Sequence, residues 1–310
     1  MYNIYRMRIK LHSSYITPWQ SDTIMGHLFW AIKYRYGEDR LEEILKDAEK
    51  NPVFIVSDAF EEGRYPKFNT PINYEMLEVS DTESYTKMKK IKKLKNVNLD
   101  EFNGFIEGKT LIEFFRTKLE KDNIKTNETV EQNTIHNQIN RMTGTTVDNG
   151  LYTLNEKFID GNLEIFFKVR KDYKIAELEE ILRDFERSGF GKKSSSGKGS
   201  FKIIDFKKFD GFKKVKNGNG FIILSNYIPK KGDYEEVVYA ETLTKYGKLG
   251  GEEAHNDIPF KRPFISYSKG GIFKSKNPSE IKGKMLSNIH LDLKFKQFGI
   301  PFILEVNLNE

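Results

Sequence analysis

The sequence predicts an α+β fold, and three observations carry that prediction. The chain opens on a clean amphipathic strand, with Tyr5, Met7, Ile9 and Leu11 on one side and Arg6, Arg8 and Lys10 on the other. Strand and helix patterns then run strand, helix, strand, strand, helix, strand, with a long insertion after the second strand. A glycine-rich loop lies between the last helix and the last strand of that series. This order is the split βαβ, ferredoxin-like (RRM-like) arrangement. Two such domains are expected: residues 1–210, with an insertion at about 61–160, and a β-rich domain at 211–310.

Each element has its own local signal. After the first strand and a loop containing Pro18, Ser21 is placed to cap a helix beginning near Asp22. Ile24, Leu28, Phe29, Ile32 and Tyr36 form its buried stripe, and Gly37 closes it. A second helix is expected over 39–49, ahead of Pro52, and a strand over 53–60. Within the insertion, positions 87–95 hold six lysines interleaved with Met88, Ile91 and Leu94, the pattern of a short basic surface helix. Segments 99–108 and 110–122 also read as helical.

Leu163, Ile165, Phe167 and Val169 alternate with Glu164, Phe166, Lys168 and Arg170 in a further strand. Ile175, Leu178, Ile181, Leu182 and Phe185 recur at helical spacing, and 201–207 is rich in strand formers. Two helices on one sheet face would leave the other open, as in many sheets that meet RNA. Gly211, Gly218 and Gly220 mark the junction to the second region, where 221–228, 262–267, 289–295 and 301–308 read as β-rich.

Charge and composition narrow the class of function. Net charge is +6, from 51 basic and 45 acidic residues, which suits an anionic partner. Cysteine is absent, which excludes disulfides, Cys-based zinc sites and a cysteine nucleophile. The N-terminus lacks a signal-peptide pattern and no apolar run has membrane-spanning length, so a cytoplasmic, membrane-free protein is expected. His12, His27, His136, His255 and His290 stand at no metal-ligand spacing, and neither a metal nor a cofactor is expected.

The richest motif is Gly189-Phe190-Gly191-Lys192-Lys193-Ser194-Ser195-Ser196-Gly197-Lys198-Gly199. Glycine permits close approach of a ligand to the main chain, exposed amides form concavities for anions, and lysine and serine add charge and donors. The loop reads as a cradle for a phosphate backbone; the same chemistry also fits a flexible surface turn. It is neither a Walker A motif, which needs four residues between its glycines, nor a dinucleotide fingerprint, which would need glycine at position 194.

Two further constellations could carry contacts to nucleic acid. His136, Asn137, Asn140, Arg141, Thr143 and Thr145 lie in a polar block with Gly144 at its turn, able to meet phosphates, sugars and splayed bases or to form a plain hairpin tip. Trp19, Gln20, Ser21 and Asp22 open the first helix, where Trp19 offers a stacking plane and helix-end amides can hold phosphate. Ordinary capping and dipole complementarity are the better account of Ser21 and Asp22. His12, just after the first strand, is the better placed histidine for a general base.

Together these motifs resemble the RAMP superfamily of CRISPR RNA-binding proteins. Gly189, Gly191, Gly197 and Gly199 match its Gly-x-Gly-x5-Gly-x-Gly signature without a gap. The 17–30 block and the 136–146 block, followed by Leu151-Tyr152, resemble motifs of one branch, the crRNA 5′-end-binding subunit of type III-A (Csm) effector complexes; Lys261-Arg262-Pro263-Phe264 and Gly270-Gly271-Ile272-Phe273 resemble its C-terminal domain more loosely. The resemblance implies an RNA-binding, non-catalytic subunit of an antiviral defence complex. Such a subunit grips the 5′ repeat-derived handle of crRNA, contacts the large polymerase-like subunit and adjoins the first RAMP backbone subunit, with target RNA nearby. On this reading the glycine loop holds handle phosphates, the 136–146 hairpin touches bases, and the 19–22 block contributes to the same groove. The alternatives are a metal-independent RAMP endoribonuclease using His12 or His27 as base, and the analogous type III-B subunit.

Overall fold

The computed structural model describes residues 1–72, 74–77, 82–120 and 130–309. Its elements begin with β1 (Tyr2–Leu11), α1 (Ser21–Tyr36), α2 (Glu38–Lys46) and β2 (Phe54–Glu61). The insertion carries β3 (Tyr65–Pro66), α3 (Thr82–Lys93), β4 (Asn96–Val97), α4 (Leu99–Ile106), α5 (Leu111–Leu119) and a long hairpin of β5 (Val130–Ile139) and β6 (Thr146–Phe158). Then follow β7 (Asn162–Arg170), α6 (Ile175–Ser188) and β8 (Phe201–Lys208). The main sheet is antiparallel in the order β2-β7-β1-β8, with Met7 opposite Ile165 and Phe206.

Helices α1 and α6 pack together, joined at their exposed edge by Arg35 to Asp184 and Tyr36 to Glu180. Ile24, Met25, Leu28 and Ile32 of α1 and Leu178, Ile181, Leu182 and Phe185 of α6 are buried, as the helical spacing requires. The opposite sheet face is not open. Phe166, on the alternate side of β7 from Ile165, is fully enclosed by Phe209, Phe212, Tyr65 and Phe302. The expected RNA-facing surface is therefore core. The alternation Glu164, Phe166, Lys168 concealed this, because the apolar partners arrive from the insertion and from beyond the end of β8. Burial of each such ring contributes about 1.5–3 kcal/mol.

The start of α1 also departs from expectation. Ser21 is the first helical residue rather than the cap, and Gln20 at the cap makes no side-chain bond to the helix. The helix-start amide of Ser21 instead donates to Asp58 Oδ1 of β2 at 2.8 Å. A distant carboxylate thus does what a local hydroxyl was expected to do. By contrast, α4 and α5 begin with capping boxes, Asn98 with Glu101 and Thr110 with Glu113. The last positions of the expected 110–122 helix, 121 and 122, lie outside the described residues.

The lysine run forms α3 as expected, with Met88 and Ile91 turned inward. Lys67, itself buried, donates its ammonium to the carbonyls of Ile91 and Lys92 at the end of that helix. Burial pushes Lys67 down to about 8.

The remaining strands are β9 (Gly220–Ile223), β10 (Glu236–Tyr239), β11 (Thr242–Lys245), β12 (Phe264–Tyr267), β13 (Ile272–Lys274) and β14 (Ile303–Val306). They form an antiparallel sheet in the order β10-β13-β9-β14 and a separate β11-β12 ribbon. Among the described residues beyond 211 there is no α-helix, only a short 3-10 turn at Gly251–His255, so the helices of a second ferredoxin-like unit do not appear. The expected strand at 289–295 is a turn: His290 Nδ1 accepts from the Asp292 amide, and Asp292 Oδ1 from that of Lys294. Such local bonds compete with a ladder. Ile222, Leu224, Ile272, Phe302, Leu304 and Val306 share one apolar cluster with the first region.

Candidate nucleic-acid interface

The glycine loop is a built structure, pinned at both ends. Helix α6 ends at Gly189, with φ of 67°, and Phe190 dives into the core to stack on Trp19 with ring centroids 3.9 Å apart. The Phe190 amide donates to Gly199 O at 3.0 Å, closing the loop on itself. A Cβ at Gly199 would lie 2.0 Å from the Phe190 carbonyl oxygen, so glycine is obligatory there. At Gly191, with φ of 76°, a Cβ would lie 2.6 Å from Thr17 Cβ.

The loop's inward amides are already taken. Gly191 donates to His27 Nε2 at 3.1 Å, Lys192 to Thr17 Oγ1 at 2.9 Å, Gly199 to Ser14 O at 2.8 Å and Ser200 to Ser13 Oγ at 2.9 Å. Lys193, in the left-handed region with φ of 64°, begins a turn over Ser194–Ser196. Among the described residues, the amides of Lys193, Ser194 and Ser195 take no such bond. These amides, with the exposed Lys192 and Lys193 side chains, form the loop's outward edge.

Beside the loop stands the β5–β6 hairpin. At its root, Glu156 is buried and accepts from Lys198 Nζ at 2.7 Å and Ser14 Oγ at 2.5 Å, and from Thr134 Oγ1 at 2.7 Å; His136 Nε2 lies 3.1 Å away. Burial opposes ionisation of this carboxyl, but the four partners outweigh it and hold it down at about 2. The same root is tied to the loop after β1 by paired backbone bonds between Tyr15 and Lys157. The His136 ring stacks on Tyr152, and Lys193 Nζ lies 5.5 Å from the Tyr152 ring centroid.

The tip is polar and exposed. Asn140 donates its amide to Thr145 O and accepts from the Gly144 and Met142 amides, while Thr143 and Thr145 hydroxyls meet at 2.8 Å. Arg141 has no ion pair among the described residues, and Asn137, Arg141 and Met142 face solvent. Ile135, Ile139 and Leu151 are exposed apolar residues along the same hairpin.

The structure therefore sets the 189–199 loop against the root of the hairpin, where His136 lies, leaves Asn140, Arg141, Thr143 and Thr145 at the projecting tip, and withdraws the 19–22 block. Trp19 is 5% exposed and covered by Phe190, Phe185 and Phe201, so it offers no plane to a base. Ser21 Oγ accepts from the Asn226 amide, and Asp22 bonds Lys245, Asn226 and Gln297. These residues join the first region to the second. Gln20 is partly buried, its amide bonded to Pro18 O. Lys198, expected as a free phosphate ligand, is committed to Glu156.

Of the two histidines considered as bases, His12 is exposed beside the loop, its amide bonded to Ser200 O. His27 packs its ring on Phe185 and Phe190, burial pushes it down to about 4, and its Nε2 lone pair is occupied by Gly191. Thr17 and Tyr152 fell within the resembling blocks without an assigned contact, and Glu156 is the member of the site that the motifs did not mark. The one signal for Glu156 is its place in register with the inward Leu154 on β6. Among the described residues no group of three or more His, Cys, Asp or Glu could hold a metal, and no helix is long and apolar enough to cross a membrane.

No protein-family profile matches the chain, and no curated protein does. Solved structures do. The chain is similar to one in the crystal structure of the Csm1-Csm4 cassette in complex with cA4, at 16% identity, a TM-score of 0.61 and 99% of each chain covered. The same cassette in complex with AMPPNP gives 17% identity and a TM-score of 0.62, again over 99% of each chain. A chain of the Csm3-Csm4 subcomplex of the type III-A CRISPR-Cas interference complex gives 16% and 0.59, over 98% of this chain and 99% of that one. The chain thus has the fold of these proteins along its whole length.

Proposed function

We propose that the chain is a RAMP-type RNA-binding subunit. More particularly, it is the subunit of a type III-A (Csm) CRISPR effector complex that grips the 5′ repeat-derived handle of crRNA and bridges the large polymerase-like subunit to the neighbouring RAMP backbone subunit, in the cytoplasm. The observation that carries this reading is the pairing of two elements: a glycine loop with three free amides and two exposed lysines, set against the root of a projecting hairpin. Full-length similarity to chains solved in Csm1-Csm4 and Csm3-Csm4 assemblies supports the assignment. The sheet order β2-β7-β1-β8 supports a ferredoxin-like first domain, and the helix-poor second region is read as a reduced copy of the same plan.

The role is one of binding without catalysis. His27 is spent as an acceptor, which disfavours it as the base of an endoribonuclease and leaves the exposed His12 to carry that reading. Copurification of the tagged protein from its native cell tests both. Small RNAs sharing one 5′ repeat fragment, together with a large polymerase-like partner, are expected. Recovery of the lone chain with cut precursor repeats, under metal-free conditions, would favour the nuclease.

A further inference from the structure

We propose that His27 and Thr17 are positioning residues of the RNA site, two side-chain acceptors that turn consecutive loop amides inward and thereby aim the next three outward. The proposal rests on the RNA-binding reading above and adds to it how the loop's conformation is held. Gly191 and Lys192 present their N–H groups to His27 Nε2 and Thr17 Oγ1 at 3.1 and 2.9 Å. Without His27 the part-buried Gly191 amide would stand unpaired beside the Trp19–Phe190 stack, which costs free energy, and without Thr17 the more exposed Lys192 amide would lose the bond that fixes its direction. The loop would then turn them to water and lose the ordered run of Lys193, Ser194 and Ser195.

His27 can accept only as a neutral imidazole with its proton on Nδ1. Thr17 acts twice, because its Cβ also fills the space a side chain at position 191 would need. The role asked of these two partly buried residues needs no contact with RNA. The first-helix block thus serves the RNA site through the loop.

Two substitutions separate this role from packing. His27→Gln keeps an acceptor near Nε2 and loses the ring; His27→Phe keeps the ring against Phe185 and Phe190 and loses the acceptor. Binding of the full chain to a labelled single-stranded RNA of mixed sequence is measured against salt, and amide exchange at Gly191 without RNA. Gln is expected to stay near wild type. Phe is expected to bind about tenfold more weakly, the scale of one net hydrogen bond, with faster exchange at Gly191. The reverse order, Phe near wild type and Gln impaired, would assign His27 to packing and overturn the proposal. Unchanged Gly191 exchange in His27→Phe overturns it as well, whether or not RNA binds. Absence of salt-dependent binding by wild type would instead count against the RNA reading.

Discussion

Lys198 of the glycine loop and Glu156 of the hairpin form an ion pair 2.7 Å long, with the carboxylate buried. The pair joins the two elements that the sequence marked separately. It also moves Lys198 from ligand to scaffold, which changes what each lysine of the loop should do.

The carboxyl of Glu156 is held at about 2, below the ordinary 4.5, so the unfolded chain binds its proton first on acidification. Its stabilising contribution is complete above about pH 4.5 and is lost as pH falls toward 2. Thermal unfolding across this range should show that loss in wild type and a flatter profile in Glu156→Gln. At neutral pH the variant should be less stable by about 3 kcal/mol, because Lys198 loses its charged partner.

Lys192→Ala with Lys193→Ala should weaken RNA binding across sequences and reduce the log–log salt slope by about 0.7 for each single-strand phosphate no longer neutralised. Lys198→Ala should chiefly lower the melting temperature. Equal salt slopes for the double variant and wild type would remove the phosphate cradle.

Gly199→Ala should destabilise by at least about 2 kcal/mol, since its methyl meets the Phe190 carbonyl and its φ of 64° disfavours a side chain. Gly197 has the same sign of φ but open space around it. Alanine there should cost about 1 kcal/mol. Denaturant titration of both variants orders the two sites.

Asp22→Ala should cost about 3 kcal/mol by stranding Lys245 between the first and second regions, while leaving the salt slope of RNA binding unchanged. A changed slope in a normally folded variant would return Asp22 to the RNA surface.

Periodicity and glycine spacing made much of this molecule legible. The stripe of α1, the lysine helix and the helix-loop-strand frame around 189–199 follow from local pattern, because 3.6- and 2-residue repeats report which side faces a core. What pattern could not report is which distant group completes a local need. Ser21 looked like its own cap, yet Asp58 supplies the acceptor. Trp19 looked like a base platform, yet Phe190 occupies its face. Lys198 looked free until a strand some forty positions earlier brought Glu156. In each case the deciding partner lies on another element, and one sequence carries no trace of that pairing.

The rooting of the hairpin has a mechanical consequence. A strand of ten residues reaches roughly 30 Å, so a tilt of about 10° at the base carries the tip through about 5 Å. The hairpin behaves as a cantilever whose aim is set where Glu156, Tyr15 and Lys157 clamp it. Evolution can therefore retune where Arg141 and Met142 strike by altering buried residues near the clamp, with the tip sequence untouched.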